Sequence, residues 1–186
     1  MLDLKRVDTL VEAFSIIRRR VPLAVLRLIG DGPALANIRE RVSECGIEDS
    51  VSFTSSMPME AVWQEMQSAD IYVLPSGAEE GWGAVVNEAM SAGCAVVASR
   101  ESGAGAAMIK HGVNGMLFES GNVENLVTCL TQILIDSTRT EAMRVSARST
   151  IENLWSPAVA AERFLQFSDS ILAGRETPVF VEGPMS

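Results

Sequence analysis

The chain is short of several things at once. It has one histidine and three cysteines in 186 residues, and its 15 Lys and Arg are outnumbered by 24 Asp and Glu. Cys45, Cys94 and Cys129 are odd in number and far apart. Neither a disulfide framework nor a zinc site is expected of them; they read as three small buried residues in a reducing cytosol. The formal net charge of −9 argues against a nucleic-acid partner, which requires a basic face. It leaves room for a nucleotide, which needs only one or two local cations. No run approaches about 18 uncharged apolar residues, so no membrane span is expected. The opening MLDLKRVD lacks the apolar centre of a signal peptide.

What the chain does have is apolar mass. With 47% apolar residues and a positive mean hydropathy it suits one well-buried α/β domain over residues 1–174, followed by a loose tail at 175–186. Val7, Leu10, Val11, Phe14 and Ile17 recur at helical spacing. Arg18, Arg19 and Arg20 form a solvated helix end that suits the dipole, and Pro22 stops the helix. Leu23 to Ile29 reads as a strand covered on both faces, followed by the turn Gly30-Asp31-Gly32-Pro33. Leu35, Ile38 and Val42 predict a helix capped by Gly46. Val51 to Thr54 predicts a strand, and Ser56 with Pro58 predicts the cap and first turn of a helix carrying Val62 and Met66.

Strands are predicted at Ile71 to Leu74, Ala95 to Ala98 and Met116 to Phe118. Gly103 and Gly105 are expected to break the chain before a short helical piece ending at His111-Gly112, where the histidine reads as structural. Further helices are expected from Val123, over Thr140 to Ile151, and from Trp155-Ser156-Pro157 through Ile171. Alternation of this kind means a Rossmann-like parallel sheet with helices on both faces, and ligands at the carboxyl ends of the strands.

The stretch Ala78 to Gly93, AEEGWGAVVNEAMSAG, is the centre of interest. A strand runs into a glycine loop and then into a helix N-terminus, where unpaired amides and the helix dipole favour a phosphate. Glu80 and Glu88 stand eight positions apart, a helical rise of about 12 Å, suited to hydroxyl groups at the two ends of a sugar diphosphate. That is too wide for a retaining glycosidase pair, which needs carboxyls about 5 Å apart.

Glu80-Gly81-Trp82-Gly83 followed by Glu88-Ala89-Met90 and Gly93 resembles the Glu-x7-Glu signature of the group 1 (family 4) retaining glycosyltransferases of the GT-B fold. Lys5 with Val7-Asp8, Gly30-Asp31-Gly32-Pro33, Val51-Ser52-Phe53, Ala69-Asp70-Ile71 through Pro75-Ser76, Asn114-Gly115 and Trp155-Ser156 fall in the family's order, from about Leu4 to Ile171. The resemblance implies the C-terminal, donor-binding half of such an enzyme, with an NDP-sugar (UDP or GDP) as substrate, an unknown acceptor, no cofactor and no metal.

By position, Glu88 would bind the ribose diol. Glu80 and the amides of Gly81, Trp82 and Gly83 would lie beside the hexose and diphosphate. Lys5 would neutralise diphosphate charge, Gly30 would belong to the post-strand turn, and the backbone from Phe53 to Met57 would border the base. Trp82 reads as packing the loop rather than stacking on sugar.

Three departures from the family pattern are expected to matter. The family's half-domain opens with a central strand ending in Gly-Arg, absent here. Gly105-Ala106-Ala107 stands where Pro-Glu is usual. The acceptor-binding N-terminal domain is missing, so the chain alone is expected to be inactive; any membrane contact of an otherwise cytoplasmic protein, at the inner face, would come through that half. The alternative is a non-catalytic remnant or interaction module of the same fold, pairing through an uncovered sheet edge. An NAD-binding domain is a poor third reading, because the Gly30 turn lacks the third glycine of the dinucleotide fingerprint.

Overall fold

The computed structural model describes residue 2 and residues 5–186. Leu4, where the resemblance begins, lies outside the described residues. The order is α1 (Val7–Arg20), β1 (Leu26–Ile29), α2 (Leu35–Glu44), β2 (Val51–Thr54), α3 (Met59–Ser68), β3 (Ile71–Leu74), α4 (Val85–Ala92), β4 (Ala95–Ser99), α5 (Gly103–Met108), β5 (Met116–Phe118), α6 (Val123–Ile135), α7 (Ser137–Thr150) and α8 (Pro157–Leu172). Every ladder is parallel, β1 with β2 and β3-β4-β5 in that order.

Helices lie on both faces. Ala95 and Val97 of β4 join Leu28, Met116 and Phe118 in a core closed by α1, α2 and α6, whereas Val96 and Ala98 face Met66, Leu74, Val86 and Met90. This two-sided burial explains why β4 is apolar throughout. Each fully buried valine there contributes about 1.5–3 kcal/mol.

The strands form two sheets among the described residues, not one. On one face α1 packs between α2 and α6; on the other α3 packs on α4, while Arg27 of β1 donates to Glu65 Oε2 (2.6 Å) and Ser68 Oγ (3.2 Å) of α3. β1 and β3 each keep one edge without a strand partner among the described residues. β1 is also shorter than predicted and is not covered on both faces. The Ala24 amide bonds the Val21 carbonyl in a turn, Leu23 and Val25 are exposed, and Arg27 reaches out of the sheet.

Helix ends follow the sequence where a glycine or a capping hydroxyl sets them. Gly93 closes α4 in the left-handed region (φ 88°), and Ser156 Oγ accepts the Val159 amide ahead of Pro157. Ser56 does not cap α3; Pro58 stands at that position, and the Ser56 amide instead donates to Asp31 Oδ2 at 2.8 Å. Gly103 and Gly105 lie inside α5 rather than before it. The helix expected to end at Ile151 passes into a π turn, Ile151–Trp155. The tail has no helix or strand; Lys110 pairs with Glu182, and Arg163 lies over the Phe180 ring at 4.7 Å.

Candidate functional site

Parallel strands bring their carboxyl ends to one edge, and the loops that carry the predicted residues all lie there. After β3, Pro75 and Ser76 are buried, and a short 3-10 turn (Ala78–Glu80) leads to Gly81. Gly83 adopts φ 82°, and a Cβ there would come within 2.9 Å of Leu74 Cδ2, so glycine is what lets the chain turn into α4. The loop is tied to the start of α5: Gly103 N–H donates to the Gly81 carbonyl at 2.8 Å and Ala104 N–H to the Trp82 carbonyl at 2.7 Å. A Cβ on Gly103 would lie 2.8 Å from that Gly81 oxygen. With the carbonyls engaged, the amides of Trp82, Gly83 and Ala84 have no backbone acceptor among the described residues. They are the donors that an anion would meet.

The structure joins two residues far apart in sequence. Lys5 Nζ donates to Glu80 Oε2 at 2.6 Å, the carboxylate side chain being 10% exposed and the lysine 40%. Glu88 lies half-buried on α4. Its separation from Glu80 is not a helical rise throughout, because α4 begins only at Val85. Both acids nevertheless act on one group. Burial, then Glu80, then Glu88 push the Tyr72 hydroxyl well above the ordinary tyrosine range.

Trp82 packs rather than standing free. Its ring lies 5.3 Å from that of Trp155, tilted 44°, and its Nε1 donates to Asn87 Oδ1 at 3.0 Å. His111 Nδ1 accepts the Leu117 amide at 2.9 Å, a structural role. Gly30 is at φ 125°, its amide on the Thr54 carbonyl, and the Asp31–Ser56 bond ties the ends of β1 and β2 together. That bond holds the Asp31 carboxyl below its usual range. The Phe53 ring turns to the core under the Arg39 guanidinium, 4.1 Å from its centroid, and Met57 is half-buried.

Tyr72, Asp31, Arg39, Asn87 and Trp155 were not singled out for the site from the sequence. Only strand register and loop packing bring them to it. Ser120 Oγ lies 3.2 Å from where a Cβ on Gly77 would stand, and the Ser76 and Ser120 hydroxyls are both buried without a partner.

The sequence profile of the family described as Glycosyl transferases group 1 matches residues 1–150, and the chain belongs to that family. It is similar to a GDP-mannose-dependent alpha-(1-6)-phosphatidylinositol monomannoside mannosyltransferase of Mycobacterium tuberculosis, with 31% identity over 86% of this chain and 43% of the relative. It is also similar to the sulfoquinovosyl transferase of Arabidopsis thaliana, with 32% identity over 97% of this chain and 35% of the relative.

The fold matches the C-terminal domain of a group 1 glycosyl transferase of Francisella tularensis (TM-score 0.74, 21% identity, 82% of this chain and 80% of that one). It also matches Anabaena HepE in complex with UDP (TM-score 0.78, 23% identity, 90% of this chain and 46% of that one). The chain spans less than half the length of the curated relatives it matches. No helix among the described residues is long and apolar enough to cross a membrane.

Proposed function

We propose that this chain is the donor-binding half of a glycosyltransferase that moves a hexose, with retention of configuration, from a UDP- or GDP-sugar to an acceptor held by a further domain. The observation that carries the reading is the contact of Lys5 with Glu80 beside the open amides of the Trp82 loop. Lys5 and those amides sit where charge develops on a departing diphosphate, and fixed donors aimed at developing charge lower the barrier without reorganising. Glu80 accepts from hexose hydroxyls and Glu88 from the ribose diol, as the resemblance implies. The reading calls for no metal or cofactor beyond the sugar donor. It places the chain in the cytoplasm, with any membrane contact at the inner face made by the remainder of the protein. Calorimetric titration of the chain with UDP and GDP tests it, and absence of binding to both would overturn it.

The open edges of β1 and β3 favour a second reading, a non-catalytic module of the same fold that pairs through its sheet edge. Concentration-dependent self-association without nucleotide binding would select that reading.

A further inference from the structure

The one π turn among the described residues, Ile151–Trp155, joins α7 to α8 and carries Trp155 as its last member. A turn closed over i→i+5 takes in one residue more than an α-helical turn, so Trp155 sits about 100° off the face that a continued α7 would give it. Such turns are rare and concentrate at functional sites. Here the turn closes on α4: Ile151 and Trp155 pack against the core that holds Val86, Ala89 and Met90. Trp155 also meets the ring of Trp82, in the loop ahead of α4, at 5.3 Å between centroids.

Trp82 is held in three places. Its Nε1 donates to Asn87 Oδ1 of α4 at 3.0 Å, its ring lies against Trp155, and its Cε3 is 3.1 Å from where a Cβ on Gly103 would stand. The residue is nevertheless 40% exposed, so core burial alone does not fix it and each contact counts. A tilted aromatic pair of this kind is worth more than its buried area. The amides of Trp82, Gly83 and Ala84 have no backbone acceptor among the described residues. Whatever fixes the Trp82 ring therefore sets the direction of those donors, and donors fixed beforehand need no ordering when an anion arrives. We propose that Trp155 is a positioning residue for the diphosphate: acting through Trp82 rather than on the ligand, it keeps the amides of the loop aimed at the anion site before that site is filled. This rests on the donor-binding reading above, and the test separates the two.

The full chain is compared with its Trp155→Leu and Trp155→Phe variants. Leucine keeps an apolar side chain against the core and removes the ring; phenylalanine keeps a ring. Amide-nitrogen relaxation of the ligand-free proteins gives order parameters for Trp82, Gly83 and Ala84, and calorimetric titration gives affinities for UDP, GDP, uridine and guanosine, all well below the thermal midpoints. In the parent and in Trp155→Phe the three amides are expected at an order parameter of about 0.85, and in Trp155→Leu below about 0.6. Trp155→Leu should lose roughly 3- to 10-fold in nucleotide affinity and Trp155→Phe less than about 2-fold. Nucleoside affinity should not change, because nucleosides carry no diphosphate. In a Trp82→Leu background, Trp155→Leu should cause no further loss.

Amides as ordered in Trp155→Leu as in the parent, an equal loss for nucleosides, a loss in Trp155→Phe as large as in Trp155→Leu, or additive losses in the double variant would overturn the proposal. Disordered amides with unchanged nucleotide affinity would overturn it too, and would leave the donor reading standing. Absence of nucleotide binding by the parent would overturn the donor reading, and this proposal with it.

Discussion

Lys5 Nζ and Glu80 Oε2 lie 2.6 Å apart across 75 positions of sequence, and the pair joins the entrance of the first helix to the glycine loop after β3. The carboxylate is nearly covered and the ammonium partly so, which makes this pair stronger than one exposed on both sides. A double-mutant cycle with Lys5→Met and Glu80→Gln should show a coupling of about 1 kcal/mol in urea unfolding. Additive effects would mean that the contact holds nothing together.

Glu88→Ala should weaken UDP or GDP binding by about 1.5–3 kcal/mol, the value of hydrogen bonds to a charged acceptor. Unfolding should change far less, because the side chain is only half-buried. Equal nucleotide affinity in parent and variant would remove Glu88 from the ribose.

Gly103→Ala places a methyl 2.8 Å from the Gly81 oxygen and 3.1 Å from Trp82. Overpacking should cost about 1–3 kcal/mol and push the loop off its two amide donors. Nucleotide affinity should fall with stability. A variant as stable as the parent would show that this contact can give way freely.

Burial pushes the Cys94 thiol up to about 11, and Cys129 is shifted in the same direction for the same reason. At pH 8 a thiol reagent should modify Cys45, which is only half-buried, and reach the other two only in denaturant. Rapid labelling of all three in the native protein would contradict the packing.

Asp31 has its folded-state pKa below its ordinary value of 3.8 because it accepts the Ser56 amide. Its contribution to stability is therefore complete above that value and is lost as pH falls through the folded-state pKa. Asp31→Asn should flatten that part of the acid limb of the stability profile. An acid limb identical in parent and variant would show that the bond between the β1 and β2 loops carries no linkage.

The alternation of elements was legible because each carries its own period. Apolar runs such as Ala95 to Ala98 need cover on both faces, and α1 shows its buried stripe at Leu10, Val11, Phe14 and Ile17. The glycine loop and the two glutamates were visible as a local spacing. Ser56 misled because the helix starts later than the hydroxyl implies, at Met59 with Pro58 at the cap position, while the Ser56 amide is held by Asp31, 25 positions away.

The sequence by itself determined which segments coil and which extend, and it placed the acids and glycines at the carboxyl edge of a parallel sheet, because these follow from periodicity and turn chemistry over a few residues. Only the tertiary structure decided that Lys5 meets Glu80, that Trp82 rests on Trp155, and that β1 and β3 each keep an open edge. Those facts depend on how distant segments pack against one another, and no local pattern of side chains encodes a distance across the fold.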